Sequence, residues 1–439
     1  MNMQTQLEKL AAAVAGQDNS PARRRLLQLF DEGTFLELDR LAMDGGQPAQ
    51  AVVAYGTVDG APVYAFAQDS SVCSGAIGKA QAAKIAKAYA LAQQNGAPIV
   101  GVFDSDGAKL GEGIDAMDAI AEILLMSNNI SGVVPQIAVL AGPCVGSSAL
   151  IAANADIVVA VEGAAYTLNV GDDNAKAAVT AADDAQAMEK VRELLALLPS
   201  NNLAGATVYE GGSLQMPACD SIDGVIEAVA DEGTAVRLFE ASPCGETALA
   251  RIGGMACGMV TLKGDKICGC AASRAARFVQ LCDAFSLPIV TFVDAAGFET
   301  LQGAAKLSHA YAEATTAKLT VVTGRAYGPV YIAVAGKAAG ADAVLAWPTA
   351  VITPLAPETA IHILWRERLA AMTNPIEERQ ALAEEYAETE GSALAAAAGG
   401  FVTDVVAPAQ TKAKLAAMMD MLAGKRVSQL PKKHTNMPL

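Results

Sequence analysis

One succession of apolar and polar positions occurs twice along the chain. Residues 84–95 carry apolar side chains at helical spacing, and Pro98 then opens an apolar run read as a buried strand. A turn with Asp104 and Gly107 closes that run. From residue 274 the order returns: a helical pattern, Pro288, a second apolar strand, Asp294 and Gly297. A second matching block follows in each half, in which a strand (QIAVLAG, KLTVVTG) enters a Gly-containing turn and an Ala-rich helix. A further apolar strand then starts after Asp156 or Asp342. The offset of about 190 residues exceeds solenoid periods of about 20 to 50, so the pattern predicts a duplicated domain.

Around these blocks, residues 1–45 predict two short helices. Ser20 is the N-cap of the second, Pro21 its first residue, and Gly33 its stop. Residues 51–69 predict a hairpin turning at Asp59 and Gly60, and residues 255–273 its duplicate, turning at Gly264 and Asp265. Residues 171–235, with a charged helix and a polar stretch through Pro217, read as an interdomain connection. Residues 375–395 predict an exposed acidic helix, followed at the end by a basic tail. The domains are thus drawn at 1–235 and 236–439. The fold class is α/β, a mixed sheet in each half.

Composition narrows the function. Hydrophobic residues make up 52% of the 439 positions and aromatics 5%, the profile of closely packed α/β layers. A net charge of −16 argues against nucleic acid, which needs a basic footprint. Eight scattered cysteines and a start without signal-peptide form point to free thiols in a cytoplasmic protein. Mean hydropathy is positive, yet the longest apolar region, 133–168, is interrupted by Pro135, Pro143, Asn154, Asp156 and Glu162. A membrane-spanning helix needs about 20 apolar residues in a row.

Familiar catalytic groupings are missing. His309, His362 and His434 do not pair by spacing with a nucleophile, and no G-x-S-x-G, Walker A or G-x-G-x-x-G pattern occurs. Cys268 and Cys270 form a Cys-x-Cys on an expected strand, with no second pair to complete a zinc site. No metal is expected. The repeats do supply small-residue turns at helix starts: Pro143-Cys144-Val145-Gly146-Ser147-Ser148 and Tyr327-Gly328-Pro329-Val330. Backbone N–H groups there suit an oxyanion hole for a thioester carbonyl becoming an enolate; the alternative is a turn needed only for packing.

The wording of the chain resembles the carboxyltransferase subunits of biotin-dependent acyl-CoA carboxylases and decarboxylases, in the crotonase superfamily. The likeness rests on LLQLFDEGTFLELD, VYAFAQD, GAPIVGVFDSDGAKLGEG, SGVVPQIAVLAGPC, LPSNN, AARFVQLCDAFSLPIVTFVD, AYAEAT, GADAVLAWPTA and LPKKHTNMPL, in that order over nearly the whole chain. It implies two tandem crotonase-like (β-β-α superhelix) domains related by duplication. It implies an acyl-CoA in the first, its thioester oxygen on the N–H groups of Gly146 and Ser147, with Ser74, Gly75, Ser105, Gly107, Ala108 and Lys109 around it. Carboxybiotin, attached to a carrier protein and not to this chain, would reach the second domain at Gly328 and Val330, beside Ala296, Gly297, Phe298, Tyr327 and Pro329. A biotin carboxylase or a membrane decarboxylase subunit would complete the system. The resemblance also implies a homo-oligomer, a dimer or a trimer of dimers.

The chain departs from the family at identifiable places. Asp106 stands where DSGGAR has a glycine, and GPCAGGA has become GPCVGSS. AYGGAYD has become Ala326-Tyr327-Gly328-Pro329-Val330-Tyr331-Ile332, in which Pro329 removes an N–H and Ile332 replaces an Asp. The loop after Phe298 is shortened by roughly ten residues relative to the family's P-G-F-L-P-G segment. The expected function is carboxyl transfer between carboxybiotin and the α-carbon of an acyl-CoA. The alternative is a catalytically weakened paralogue that binds acyl-CoA beside an active partner.

Overall fold

The computed structural model describes residues 2–14, 19–44, 46–169, 171–371, 377–428 and 430–438. Two compact units emerge, Met1–Ala204 and Gly205–Leu439. Each contains an eight-stranded sheet of the same topology. In the first unit the order is Leu36–Leu38, Val52–Val58, Ala61–Ala67, Ile99–Ser105, Gln136–Val145, Ile157–Val161 and Val179–Ala181. In the second it is Val236–Ser242, Gly245–Ile252, Met255–Gly264, Ile289–Ala295, Lys318–Tyr327, Ala343–Ala346 and Asp404–Val405. The first two pairings of each sheet are antiparallel and the rest parallel. In both, a short strand (Tyr166–Thr167, Val351–Thr353) pairs with the far end of the longest parallel strand. The duplication read from the pattern is therefore a duplication of topology, strand for strand.

The parallel strands are buried along almost their whole length, which is why they read as continuous apolar runs rather than alternating ones. Helix Lys79–Asn95 lies against helix Ile114–Asn129, as Gly269–Ala284 lies against Leu301–Glu313. Phe66 links strand to helix in the first core, its ring centroid 6.0 Å from Tyr89 and 5.4 Å from Phe103. In the second core Trp347 is fully buried and donates its indole N–H to Thr411 Oγ1 at 2.9 Å, so no polar atom is stranded there.

Several expectations change. Ser20 caps helix Pro21–Leu29, accepting from Arg23 N–H at 3.2 Å, but the helix stops at Leu29 rather than at Gly33. The first hairpin turns at Asp59 and Gly60, both with positive φ. Its duplicate does not turn at Gly264 and Asp265: strands Gly245–Ile252 and Met255–Gly264 join at Gly253-Gly254, φ 58° and 83°. Two adjacent residues at positive φ make the tight turn that suits strand twist, and a Gly-Gly pair supplies them without strain. Residues 171–235 are not a free connection. Helix Asp184–Leu197 buries Met188, Val191 and Leu194 in the first unit, whereas Ile222, Val225 and Ile226 join the second unit's core. The acidic helix spans Glu377–Thr389, residues 375 and 376 lying outside the described residues. One of its faces buries Leu382 and Tyr386 against Ile361 and Trp365, so only the acidic side is exposed.

Candidate active site

In the first unit two loops meet at the ends of strands Ile99–Ser105 and Gln136–Val145. A backbone ladder draws the expected acyl-CoA residues together. Asp106 N–H donates to Ser74 O at 3.0 Å, Ile77 N–H to Gly107 O at 2.7 Å, and Lys109 N–H to Ile77 O at 3.0 Å. Gly75 has φ 63°, and a Cβ there would stand 2.1 Å from Asp104 O, so only glycine fits. Beneath the ladder Ser148 Oγ donates to Ser105 Oγ (2.9 Å), which accepts from Gly107 N–H (3.1 Å); both serines are fully buried. Gly107 faces the neighbouring turn closely enough that a Cβ would approach Val145 O to 3.1 Å and Ser147 Oγ to 3.4 Å. Ser147 Oγ is buried without a hydrogen-bond partner among the described residues.

Gly146, at φ 62° and ψ −123°, places its N–H on Thr167 O at 3.0 Å, so that group already has an acceptor. The first intrahelical bond of Ser147–Ala153 runs from Leu150 N–H to Gly146 O. That leaves the N–H groups of Ser147, Ser148 and Ala149 without intrahelical acceptors. The available donors are displaced one residue along the chain, because the short strand Tyr166–Thr167 takes the glycine. Lys109 is not a free cation. Its ammonium lies 2.6 Å from Asp44 and 2.9 Å from Glu112, and the hydrogen bond to Asp44, then that to Glu112, raises it above the ordinary lysine range. Glu112 also accepts Lys79 N–H at 2.7 Å, capping helix Lys79–Asn95.

Asp104 does not point at an open site. Its Oδ2 accepts Arg25 Nη1 at 2.7 Å, while Arg25 Nε reaches Asp184 at 2.7 Å and Nη2 the carbonyl of Ala141 at 3.1 Å. Gly142 is required beside it, since a Cβ would stand 2.2 Å from Asp104 Oδ1. Asp106, the carboxylate standing where the family has glycine, is exposed. Sequence reasoning missed Arg25, because a basic residue on an amphipathic helix gives no sign of a partner on a strand 79 positions away.

The second unit repeats this construction with changes. Ile267 N–H donates to Gly297 O at 2.9 Å and Glu299 N–H to Ile267 O at 2.9 Å, while Ala296 N–H donates to Gly264 O at 3.1 Å. Asp294 is held by Arg325, whose backbone N–H and Nε both donate to Oδ1 at 2.8 Å. Gly328 N–H, like that of Gly146, is taken: it donates to Thr353 O at 2.9 Å. Ile332 N–H makes the first helical bond, to Gly328 O. Pro329 has no N–H, so Val330 and Tyr331 carry the donors that remain. Val330 is fully buried, Pro329 exposed, and Ile332 72% exposed. A cavity of about 350 Å³ opens beside Gly328, lined chiefly by Tyr331, Ile332, Ile352, Thr353 and Phe401. Thr353 Oγ1 is buried without a hydrogen-bond partner among the described residues, and no sequence signal marked it. Tyr327 is half-buried at the strand end, its hydroxyl pushed up by burial.

His309 and His362 lie on separate helices, Leu301–Glu313 and Pro357–Leu364. Cys268 and Cys270 are not on a strand. Cys268 is the N-cap of helix Gly269–Ala284 and Cys270 lies in its first turn. Among the described residues no group of three or more His, Cys, Asp or Glu side chains is arranged to hold a metal ion.

Comparison with known proteins identifies the family of the chain. The carboxyl transferase domain matches residues 16–180 and 169–437. Methylmalonyl-CoA decarboxylase subunit alpha of Veillonella parvula is 34% identical over 508 aligned positions, covering 98% of each chain. The propionyl-CoA carboxylase beta chain of Saccharopolyspora erythraea is 34% identical, over 98% of this chain and 93% of its own. Both alignments run longer than the 439 residues present, so these relatives contain segments that this chain lacks. Among solved structures, transcarboxylase 12S with methylmalonyl-coenzyme A and methylmalonic acid bound superposes with a TM-score of 0.91 at 29% identity, over 100% of this chain and 99% of that one. The chain belongs to the carboxyl transferase family. It is a biotin-dependent acyl-CoA carboxyltransferase built from two crotonase-like domains, and it acts on carboxybiotin and an acyl-CoA.

Proposed function

We propose that the first unit binds the acyl-CoA and that the N–H groups of Ser147 and Ser148 hold the thioester oxygen as it becomes an enolate. The observation carrying this reading is the convergence of the Gly107 loop on the Val145–Ser147 turn, with Gly146 N–H committed elsewhere. Ser74, Gly75, Ser105 and Ala108 shape the loop, and Lys109 supports it through Asp44 and Glu112 rather than by meeting an anion. Two preset donors cost no reorganisation when charge develops, which is the main electrostatic contribution available without a side-chain acid or base.

The biotin side is assigned to the cavity beside Gly328. Its volume is within the range of small-ligand pockets, its walls are mainly apolar, and the unpartnered Thr353 hydroxyl offers one polar contact to a cyclic urea. When bound, carboxybiotin supplies CO2 and, after releasing it, a basic nitrogen that takes the α-proton. Val330 N–H would hold the urea carbonyl, while Tyr327, Ala296, Gly297 and Phe298 border the approach. The carrier protein is a separate chain. The substrate is a short branched or straight acyl-CoA of the propionyl/methylmalonyl kind, the class named for the relatives. A homo-oligomer is part of the same reading, supported by the hexamer assembly described for transcarboxylase 12S. A cytoplasmic location beside a membrane or soluble partner belongs to the same reading; among the described residues no helix is long and apolar enough to cross a membrane.

Purified protein given free biotin and methylmalonyl-CoA should release CO2 slowly. Tight acyl-CoA binding with no turnover, even when a biotinylated carrier is present, removes the catalytic reading. The loss of the Pro329 donor would then mark an acyl-CoA-binding subunit.

A further inference from the structure

Carboxyl transfer makes no use of a cluster of thiols at the start of helix Gly269–Ala284. Cys268 Sγ and Cys270 Sγ are 2.9 Å apart, Cys270 exposed and Cys268 half-buried. Cys268 Sγ also accepts Ala271 N–H at 3.4 Å, so it sits at the positive end of a 16-residue helix, and Ser242 Oγ lies 3.6 Å away. Cys244, on the adjoining turn, donates instead to Lys266 O at 3.4 Å. Burial pushes the Cys268 thiol up, but hydrogen bonds from Cys270, then Ala271 N–H and Ser242, outweigh it and bring it down to about 7. Cys270 moves the other way, chiefly because it bonds to Cys268. The two sulfurs are therefore unlike: Cys268 is the more acidic thiol, and Cys270 stands beside it as the partner sulfur.

We propose that Cys268 and Cys270 form a reversible thiol–disulfide site, oxidised by a hydroperoxide and reduced by a small thiol. The Cys268 thiolate attacks one peroxide oxygen; the O–O bond breaks, an S–O bond forms, and the leaving hydroxide takes up a proton as water. Cys270 sulfur then attacks Cys268 sulfur, the S–O bond breaks, and the Cys270 proton leaves with the oxygen as a second water. Two thiols lose two electrons in total, and one hydrogen peroxide becomes two waters. The site adjoins the biotin-side loop. Ile267 pairs with Gly297 and Glu299, and Gly269 packs on Thr300, with room for a Cβ only 3.1 Å from Thr300 Oγ1.

Position, more than rate, sets this pair apart. At pH 7 a thiol titrating near 7 is about half thiolate, against roughly 3% for an ordinary thiol. Its weaker intrinsic nucleophilicity leaves a net advantage of only about three- to fourfold. The decisive feature is the resolving sulfur at 2.9 Å.

The full-length reduced protein should be treated with one equivalent of hydrogen peroxide, alkylated, and mapped by mass spectrometry without reductant. The peptide holding Cys268 and Cys270 should be two hydrogens lighter and unalkylated, and dithiothreitol should restore it. Cys270→Ser should stop at a sulfenic acid on Cys268 that dimedone traps, and Cys244→Ala should leave closure unchanged. Oxidation confined to the exposed Cys73, a Cys244–Cys268 bridge, or a Cys268–Cys270 peptide still fully alkylated would each overturn the proposal.

Discussion

Replacing Pro329 with alanine tests the donor count on the biotin side. Two residues limit that count: Gly328, whose N–H is on Thr353 O at 2.9 Å, and Pro329, which has none. Alanine keeps the first helical position and adds one N–H next to that of Val330, at an exposed residue where no core contact is lost. The corresponding residue in the first unit, Ser147, does carry that donor. One donor in an oxyanion hole contributes about 2.7–4 kcal/mol, or 10²–10³ in kcat. With the Gly328 turn held at φ 40° against Pro354 O, the added N–H inherits a fixed direction, so the gain should approach 10²-fold. Losing proline's restriction of the unfolded chain costs only about 0.4–1 kcal/mol of stability. The assay is CO2 release from methylmalonyl-CoA with free biotin as acceptor, followed with the KM for each substrate. The expected result is a higher kcat with an unchanged KM for acyl-CoA. An unchanged or lower kcat in a folded variant would show that the second hole is not built from the N–H groups of residues 329–331.

Three further outcomes are expected. Arg25→Met should destabilise the fold by about 3–5 kcal/mol in urea titration, because it leaves Asp104 charged and buried, whereas Arg25→Met with Asp104→Asn should recover most of the loss; equal losses in the single and double variants would contradict this. Gly75→Ala must push the Asp104 carbonyl from 2.1 Å and should cost more than Gly146→Ala, where the nearest atom is 3.9 Å away and backbone strain of about 1–3 kcal/mol acts alone; the reverse order of denaturation midpoints would refute the packing argument. Burial pushes the Lys84 ammonium down to about 8, with Asp39 opposing it and Arg23 assisting. Between pH 8 and the ordinary lysine value the unfolded chain binds the extra proton, so stability rises with pH across that window. Lys84→Met should therefore raise stability at pH 7 by about 1–3 kcal/mol and lose its advantage toward pH 10, as thermal melts at both pH values would show.

Much of the fold was legible because parallel strands buried on both faces leave uninterrupted apolar runs, and Pro98 and Pro288 mark their starts. The first hairpin was legible for a local reason, the Asp59-Gly60 turn. Its duplicate was misplaced because Gly264-Asp265 resembles a turn as closely as Gly253-Gly254 does, and only the pairing of strand 245–252 distinguishes them. The Cys-x-Cys was assigned to a strand for a similar reason: five residues of context do not reveal that Cys268 caps a helix.

The sequence by itself determined the duplication and the family, and it marked the two Gly-containing turns proposed to hold the reacting oxygens. It also exposed the asymmetry at Pro329, since proline's missing N–H is a property of the residue. Which N–H groups are available was decided only by tertiary structure. Thr167 and Thr353 reach Gly146 and Gly328 through short strands 21 and 25 residues further along, and each removes a donor that local reading would count as free. The same holds for Arg25 and Asp104. A hydrogen bond between distant segments leaves no periodicity in either one, so the chain's pattern marks the candidate turns while long-range contacts decide which of their N–H groups are free.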